Sequence, residues 1–298
     1  MRRLLLCCSS LALLFSFCLS ASELNVVTTV KPLNLIVQEL TDGVAQSEYL
    51  LPPGTSPHDY ALRPSDVKKL RDADLVIWGG PELEMFLTKM LENKKNSLAL
   101  TQKHTIDFRH YEHGAEIHHG DHSHSHDGID PHFWLGPKQS VQVALVITEA
   151  LIQLDPLHKS RYKDNLSRFV SEVEKAIEEL NAELKPLADH GYYVFHDAYG
   201  YFEEQFGLNN LGHFTVDPDR RPGAKTLVTI RRSLQNKQAQ CVFSEPQFSP
   251  SVIKSVVSGT HVNVGTLDPM ATEIAEEKGG YIRFLHELGQ SYIKCLKQ

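Results

Sequence analysis

Residues 24–40 read LNVVTTVKPLNLIVQEL, a run that joins a strand pattern directly to a helix pattern. Residues 24–30 are rich in β-branched side chains, which favour strands. Residues 32–40 have apolar residues at helical spacing behind a proline, which suits the first turn of a helix. Because a strand followed at once by a helix is the repeating unit of parallel sheets, this stretch predicts an α/β fold.

The same alternation continues along most of the chain. In the first half, the patterns predict strands at 48–51 and 75–78 and helices at 65–73, where Ser65 caps the helix, and at 82–91. In the second half, they predict strands at 192–195, 213–216, 241–243 and 261–264, and helices at 199–206, 224–236, 250–257 and 281–296. Each half therefore predicts one parallel sheet covered by helices on both faces.

Two helical patterns lie between these halves. The first spans 137–154, and the second repeats apolar residues at steps of three and four from Leu166 to Leu184 before Pro186. We expect two α/β lobes with parallel sheets, joined by one long linker helix and separated by a cleft. The predicted divisions are a signal peptide at 1–22, an N-terminal lobe at 23–155, a linker helix at 156–188 and a C-terminal lobe at 189–298.

The first 22 residues have the pattern of a secretory signal peptide. Arg2 and Arg3 precede an apolar run at 4–19, and residues 20–22 are small, as a cleavage site requires. A membrane anchor is the alternative, but the run is short and no charged stop-transfer cluster follows it. The pattern therefore favours export of the mature chain.

Composition narrows the function classes. The 298 residues include 30 Lys and Arg against 37 Asp and Glu, a net charge of −7 that becomes −9 once Arg2 and Arg3 are removed. Nucleic-acid binding requires a basic surplus, so we expect no nucleic-acid partner. A hydrophobic fraction of 41% is sufficient for a real core.

Removal of the signal leaves two of the five cysteines, Cys241 and Cys295. Only one intramolecular pairing is then possible, and disulfides persist in oxidising compartments. Two buried free thiols or a thiolate metal site are the alternatives, although the short Cys-x-x-Cys spacing of a zinc knuckle is missing. We expect a disulfide that pins the C-terminal helix.

Four metal-ligating side chains follow predicted strands or begin a helix: His58, His132, His196 and Asp268. Ligands of open parallel sheets bind beyond the carboxyl ends of strands. Three imidazoles and one carboxylate drawn from both lobes form a closed, roughly tetrahedral set suited to Zn²⁺. Three acids lie within two residues of these histidines and are either acceptors that orient the imidazoles or ordinary turn residues: Asp59, Asp130 and Asp197.

A second metal signal lies in the polar stretch 104–130. The chain has 16 histidines, and eight of them lie between His104 and His126. The densest group is His118, His119, His122, His124 and His126. Such a loop captures Zn²⁺, Cu²⁺ or Ni²⁺ weakly and in many geometries; the alternative is an inert solvated linker.

Catalytic motifs are missing from the sequence. The stretch His286-Glu-Leu-Gly-Gln290 lacks the second histidine of a zinc protease, and neither a Gly-x-Ser-x-Gly elbow nor a P-loop occurs. A site closed by four protein ligands also has no open position for an activated water. We therefore expect no enzymatic activity and no organic substrate.

Five motifs stand out together: Pro-His58-Asp-Tyr followed by Arg63-Pro-Ser-Asp, Asp130-Pro-His132-Phe-Trp, His196-Asp-Ala-Tyr-Gly-Tyr, Phe243-Ser-Glu-Pro-Gln-Phe248 and Gly265-Thr-Leu-Asp268-Pro. In combination they resemble one known family, the ZnuA-like periplasmic zinc-binding proteins of ABC importers. The resemblance covers the mature chain and includes the acidic His-rich loop. It implies two lobes joined by one long helix, a zinc site in the cleft, and periplasmic capture of Zn²⁺ for a permease in the inner membrane.

The resemblance also implies roles for individual residues. His58, His132 and His196 match the family's three histidine ligands. Some members have a glutamate before the first histidine, where this chain has Pro57; related manganese proteins use an aspartate that corresponds to Asp268, and water is the third option.

Two further matches follow from the resemblance. His213 matches a histidine that in some relatives joins loop histidines in a second, weaker site, although it is equally an ordinary strand-edge residue. Cys241 and Cys295 match the family's disulfide. The expected function is a monomeric high-affinity zinc carrier, and the alternatives are a manganese or iron carrier of the same fold, a metal buffer or adhesin, and a secreted zinc hydrolase.

Overall fold

The fold was analysed in a computed structural model, which describes residues 24–111 and 128–297. The predicted signal peptide and the five densest histidines of the loop lie outside these residues. None of the helices in the described part is long and apolar enough to cross a membrane.

The first lobe is built on a four-stranded parallel sheet with strand order β2-β1-β3-β4. Its elements are β1 (Asn25–Thr28), α1 (Lys31–Thr41), β2 (Gln46–Tyr49), α2 (Pro64–Asp72), β3 (Leu75–Trp78), α3 (Thr88–Leu91) and β4 (Ser97–Ala99). Val27 on β1 pairs with Glu48 on β2 and with Val76 on β3, so β1 lies inside the sheet.

Two long helices follow the first lobe, α4 (Pro137–Leu154) and α5 (Lys159–Leu184). The buried stripe of α5 includes Phe169, Val173 and Leu180, as the apolar spacing predicts. Helix α5 packs against α1, α4 and the C-terminal helix. One face of the linker helix therefore belongs to the core that joins the two lobes.

The second lobe repeats the topology of the first, with strand order β6-β5-β7-β8. Its elements are β5 (Tyr192–His196), α6 (Gly200–Phe206), β6 (Asn210–Thr215), α7 (Ala224–Gln235), β7 (Cys241–Ser244), α8 (Ser251–Val257), β8 (Asn263–Thr266) and α9 (Gly280–Leu296). The described residues thus confirm the predicted fold class of two parallel α/β lobes joined by a long helix.

The predicted disulfide is present between Cys241 on β7 and Cys295 on α9, whose Cα atoms lie 6.0 Å apart. The backbone beside it is tightly packed: a Cβ on Gly265 of β8 would lie 2.7 Å from the Phe243 ring. The disulfide therefore fastens the last helix to the C-terminal sheet, as expected.

Local predictions failed in the first lobe. The predicted helix at 82–91 is helical only from Met85, as a short 3₁₀ turn followed by α3, because the Glu84 carboxylate folds back and accepts the backbone N–H groups of Gly79 and Gly80. Strand β4 was not predicted because three residues are too few to show a period.

The predicted Ser65 cap is wrong: helix α2 begins at Pro64, and the Asp66 carboxylate accepts the N–H of Arg63.

Candidate metal centre

His58 belongs to the loop between β2 and α2, a stretch rich in Pro and Gly that cannot continue either element. The backbone N–H of His58 donates to the Ser56 hydroxyl oxygen at 3.3 Å. That hydroxyl donates across the cleft to Asp219 at 3.1 Å. The position of His58 therefore depends on the loop and on one contact with the second lobe.

His132 lies just before a 3₁₀ turn (Phe133–Leu135) that leads into α4. Its side chain is fully buried, and Asp130 accepts two hydrogen bonds from it: from the backbone N–H at 3.1 Å and from ring Nδ1 at 2.8 Å. A carboxylate only accepts, so Nδ1 carries the hydrogen and Nε2 has a free lone pair for a metal. Asp130 therefore orients His132, one of the two roles that the sequence left open for it.

His196 is the last residue of β5 and is buried. Its Nδ1 lies 3.1 Å and 3.2 Å from the two carboxylate oxygens of Glu245, so its Nε2 is likewise free to bind a metal. Glu245 follows β7 directly, at the same edge of the sheet. Sequence analysis missed this role of Glu245, although the rule that ligands gather at strand ends points to it.

The three predicted histidines come together in the cleft. His132 Nε2 lies 3.2 Å from His58 Nε2 and 3.1 Å from His196 Nε2. Among the described residues, these three form a group whose ligand atoms all lie within 4.8 Å of one another. A tetrahedral Zn²⁺ with Zn–N bonds of about 2.0–2.1 Å requires nitrogens roughly 3.3–3.4 Å apart, so the donor set fits zinc.

The cleft disfavours a proton on two of the three imidazoles. Burial, and then the neighbouring His132 and His196 rings, lower the pKa of His58 well below its usual value. Burial, His196 and Arg109 do the same for the pKa of His132. Burial also opposes a charged His196, but the Glu245 carboxylate outweighs it and raises the pKa of that ring. His58 and His132 are therefore neutral at neutral pH, the form in which an imidazole can bind a metal.

Behind the histidines, Arg109 joins the two lobes. Its guanidinium lies 3.3 Å from the Asp130 carboxylate and 3.9 Å from that of Asp197, and its Nε donates to Glu204 on α6 at 2.8 Å. Asp197 directly follows His196 in sequence but lies beside Arg109 and, at 3.5 Å, beside Nδ1 of His213. Asp59 is exposed. Of the three acids singled out in the sequence, Asp130 is therefore hydrogen-bonded to a cleft histidine, His132.

Asp268 lies just after β8, next to the cavity residues Pro269 and Met270 in sequence, but it is not part of the three-histidine group. One carboxylate oxygen accepts from Gln247 Nε2 at 2.7 Å and from the Met270 N–H at 3.1 Å, and the other accepts from the Thr272 N–H at 2.6 Å. Its role as the fourth zinc ligand therefore stays a prediction. The same holds for His213 in a second site, because its five proposed loop partners lie outside the described residues.

Comparison with known proteins identifies the family. Residues 26–295 match the model of the family described as zinc-uptake complex component A, periplasmic. The chain belongs to this family. The ZnuA resemblance found in the motifs is thereby confirmed.

Named relatives of this ZnuA family cover nearly all of the chain. The "High-affinity zinc uptake system protein ZnuA" of Yersinia pestis is 44% identical over 310 residues, which are 96% of this chain and 97% of the relative. The protein of the same name from Haemophilus ducreyi is 39% identical over 94% of this chain and 95% of its own length.

Solved structures share the fold. A crystal structure of ZnuA superposes with a TM-score of 0.78 at 22% identity and covers 92% of this chain and 99% of its own. The laminin-binding protein of Streptococcus agalactiae, titled a bifunctional protein with adhesin and metal transporting activity, gives a TM-score of 0.75 at 24% identity over 92% of this chain and 99% of its own. At these identities the likeness supports the two-lobe architecture alone.

Proposed function

We propose that this protein captures Zn²⁺ in the periplasm and delivers it to an ABC permease in the inner membrane. The observation that carries the proposal is the position of His132 Nε2, which lies 3.2 Å from His58 Nε2 and 3.1 Å from His196 Nε2. This spacing suits the nitrogen ligands of one tetrahedral zinc ion. Membership of a family described as a periplasmic zinc-uptake component supports both the location and the permease partner.

The donor set favours zinc over manganese or iron. Within the described residues the metal-ligating group consists of three imidazoles, whereas Mn²⁺ prefers carboxylate, carbonyl and water oxygens. The carboxylates nearest to the histidines, Asp130 and Glu245, are bound to Nδ1 atoms on the far side of the rings. They therefore support the imidazoles and do not face the metal.

The linker helix and the contacts between lobes favour small movements during release. Trp134 of the first lobe donates its indole N–H to the Pro269 carbonyl at 2.8 Å, and Lys31 donates to the Thr272 carbonyl at 2.9 Å. Both contacts fasten the loop after β8 to the first lobe. Since α5 is packed against both lobes, we propose that zinc leaves through shifts of cleft loops without a wide hinge opening.

We further propose that the histidine-rich segment and His213 form weaker sites that raise the local zinc concentration. The segment can be removed cleanly, because the N–H of Tyr111 donates to the Gly128 carbonyl at 3.3 Å and the two ends of a 112–127 deletion are therefore adjacent. The tight site and the weak sites can thus be tested separately.

The test is a competitive zinc titration with native mass spectrometry on the mature chain, 23–298. Wild type is compared with His58→Ala, His132→Ala and the 112–127 deletion. We expect one tight zinc ion that the two histidine variants weaken by more than about 100-fold, since each ligand contributes a large share of the roughly 10–16 kcal/mol of a tight zinc site. The deletion should remove only weaker zinc ions.

Two results would contradict the proposal. A tight site that survives both histidine substitutions would move the functional centre away from the cleft. Zinc-dependent hydrolysis of an ester or peptide by the mature chain would favour the hydrolase alternative.

A further inference from the structure

Gln247, in the loop that follows β7, lines the same cleft cavity as the three histidines. Its side-chain oxygen Oε1 is fully buried and has no hydrogen-bond partner among the described residues. A buried carbonyl oxygen without a partner costs free energy, so such an atom beside a binding site points to a ligand that supplies the missing partner.

The orientation of this amide is fixed by its neighbours. Gln247 Nε2 donates to the Asp268 carboxylate at 2.7 Å and lies 3.3 Å from the Thr272 hydroxyl. A carboxylate accepts hydrogen bonds and donates none, so the NH₂ group must face Asp268. The oxygen of Gln247 is therefore left on the side away from Asp268.

The cavity wall around Gln247 is largely apolar. It includes Trp134, Phe248, Pro269 and Met270. In such surroundings a carbonyl dipole acts strongly on a cation or on a water polarised by one, because little solvent screens it.

We infer that Gln247 supplies the hydrogen-bond acceptor for a water at the fourth position of the zinc site, and that Asp268 positions Gln247 without binding zinc. The inference rests on the proposed function, since it concerns the same zinc ion. It accounts for both observations at once: the Asp268 carboxylate accepts from three donors, Gln247 Nε2 and the backbone N–H groups of Met270 and Thr272, and the Gln247 oxygen has no partner among the described residues.

The test uses the full mature chain with Gln247→Ala and Asp268→Asn. Loss of Gln247 should weaken zinc by about 10- to 100-fold, the usual cost of losing an outer partner of a metal site. Asp268→Asn should weaken zinc binding by no more than Gln247→Ala does, because Asp268 acts only through Gln247, whereas loss of a true ligand would cost more than about 100-fold. The ligand-field spectrum of the Co²⁺-loaded protein should change in Gln247→Ala, and it should change no further than that in Asp268→Asn.

Gln290→Ala is the matched control, because Gln290 on α9 also donates its amide to an acid, Glu183, on an exposed surface. It should bind zinc and Co²⁺ as wild type does. The inference is overturned if Gln247→Ala binds zinc as tightly as wild type, or if Asp268→Asn loses more than about 100-fold in zinc affinity and changes the Co²⁺ spectrum more than Gln247→Ala does. His58→Ala separates the two proposals: if it keeps tight zinc, the proposed function fails; if it loses zinc while Gln247→Ala does not, only this inference fails.

Discussion

The two lobes have the same strand order but hold the three cleft histidines in different ways. In the C-terminal lobe, His196 is the last residue of β5, so the strand itself fixes its backbone. In the N-terminal lobe, His58 and His132 come from loops, and side-chain partners such as Ser56 and Asp130 hold them. His196 is therefore positioned by the sheet, whereas His58 and His132 depend on hydrogen bonds that can be removed one at a time.

The lobes also differ in how they are fastened. The C-terminal lobe has the Cys241–Cys295 disulfide, while the N-terminal lobe relies on packing against α4, α5 and α9. The disulfide thus restrains the lobe that holds His196 at a strand end, whereas His58 and His132 lie on loops of the lobe that has no such bridge in its described residues.

The largest expected effect concerns the disulfide. Replacing both cysteines by alanine should lower the free energy of unfolding by about 4 kcal/mol, the entropic estimate for a bridge between residues 54 apart. Zinc affinity of the folded variant should stay within about twofold of wild type, because β5 holds His196 without the bridge. Urea unfolding and a zinc titration measure the two quantities.

Wild type treated with a reductant serves as the control and should behave like the variant. Loss of zinc binding at urea concentrations where the variant is folded would show that the bridge, and not strand β5, positions the C-terminal ligand.

The second effect compares the carboxylates behind His132 and His196. Removing such partners costs about 10- to 100-fold in metal affinity. We expect Asp130→Asn to lower zinc affinity by nearly 100-fold, because His132 is on a loop. Glu245→Gln should lower it by only about 10-fold, because the strand still orients His196. Zinc affinity is measured by competition with a chelator.

Asp155→Asn provides a control outside the cleft, since Asp155 also accepts from a histidine, His158 Nδ1, at 2.6 Å. It should leave zinc affinity unchanged. Equal losses in Asp130→Asn and Glu245→Gln would mean that the strand contributes nothing to orienting its ligand.

A third effect is a dependence of stability on pH. Burial raises the pKa of Glu84 in the first lobe to about 7, and it does the same to Glu203 in the second, against hydrogen bonds that lower both. Between about pH 4.5 and pH 7 the native protein then holds protons that the unfolded chain has lost. Stability should therefore fall as pH rises through this window, by roughly 1 kcal/mol per pH unit for each group.

Urea unfolding of the zinc-free protein at pH 5, 6 and 7 checks this expectation. Glu84→Gln and Glu203→Gln should each flatten the pH dependence, one in each lobe. If one variant keeps the full wild-type slope, the buried carboxyl of that lobe is ionised in the native state and the comparison of the lobes changes accordingly.

Much of the fold was predictable because its periodic patterns are local. The boundaries of β3 and α4 agree with the prediction, and the apolar stripe of α5 faces the core as expected. The prediction of a helix over all of 82–91 was wrong because the carboxylate of Glu84 accepts the backbone N–H groups of Gly79 and Gly80. A pattern of apolar residues does not predict such an interaction.

The sequence alone pointed to the chemistry of the site: two histidines beyond predicted strands, a third before a predicted helix, and a single possible cysteine pair once the signal peptide is removed. Tertiary structure decided which side chains support them. Glu245 contacts His196 across a separation of 49 residues, and Arg109 contacts Glu204 across 95. Such contacts depend on how neighbouring strands and lobes pack together, and the spacing of residues in the sequence does not predict this packing. For the same reason, the contacts of the Gln247 amide with Asp268 and Thr272 depend on tertiary structure.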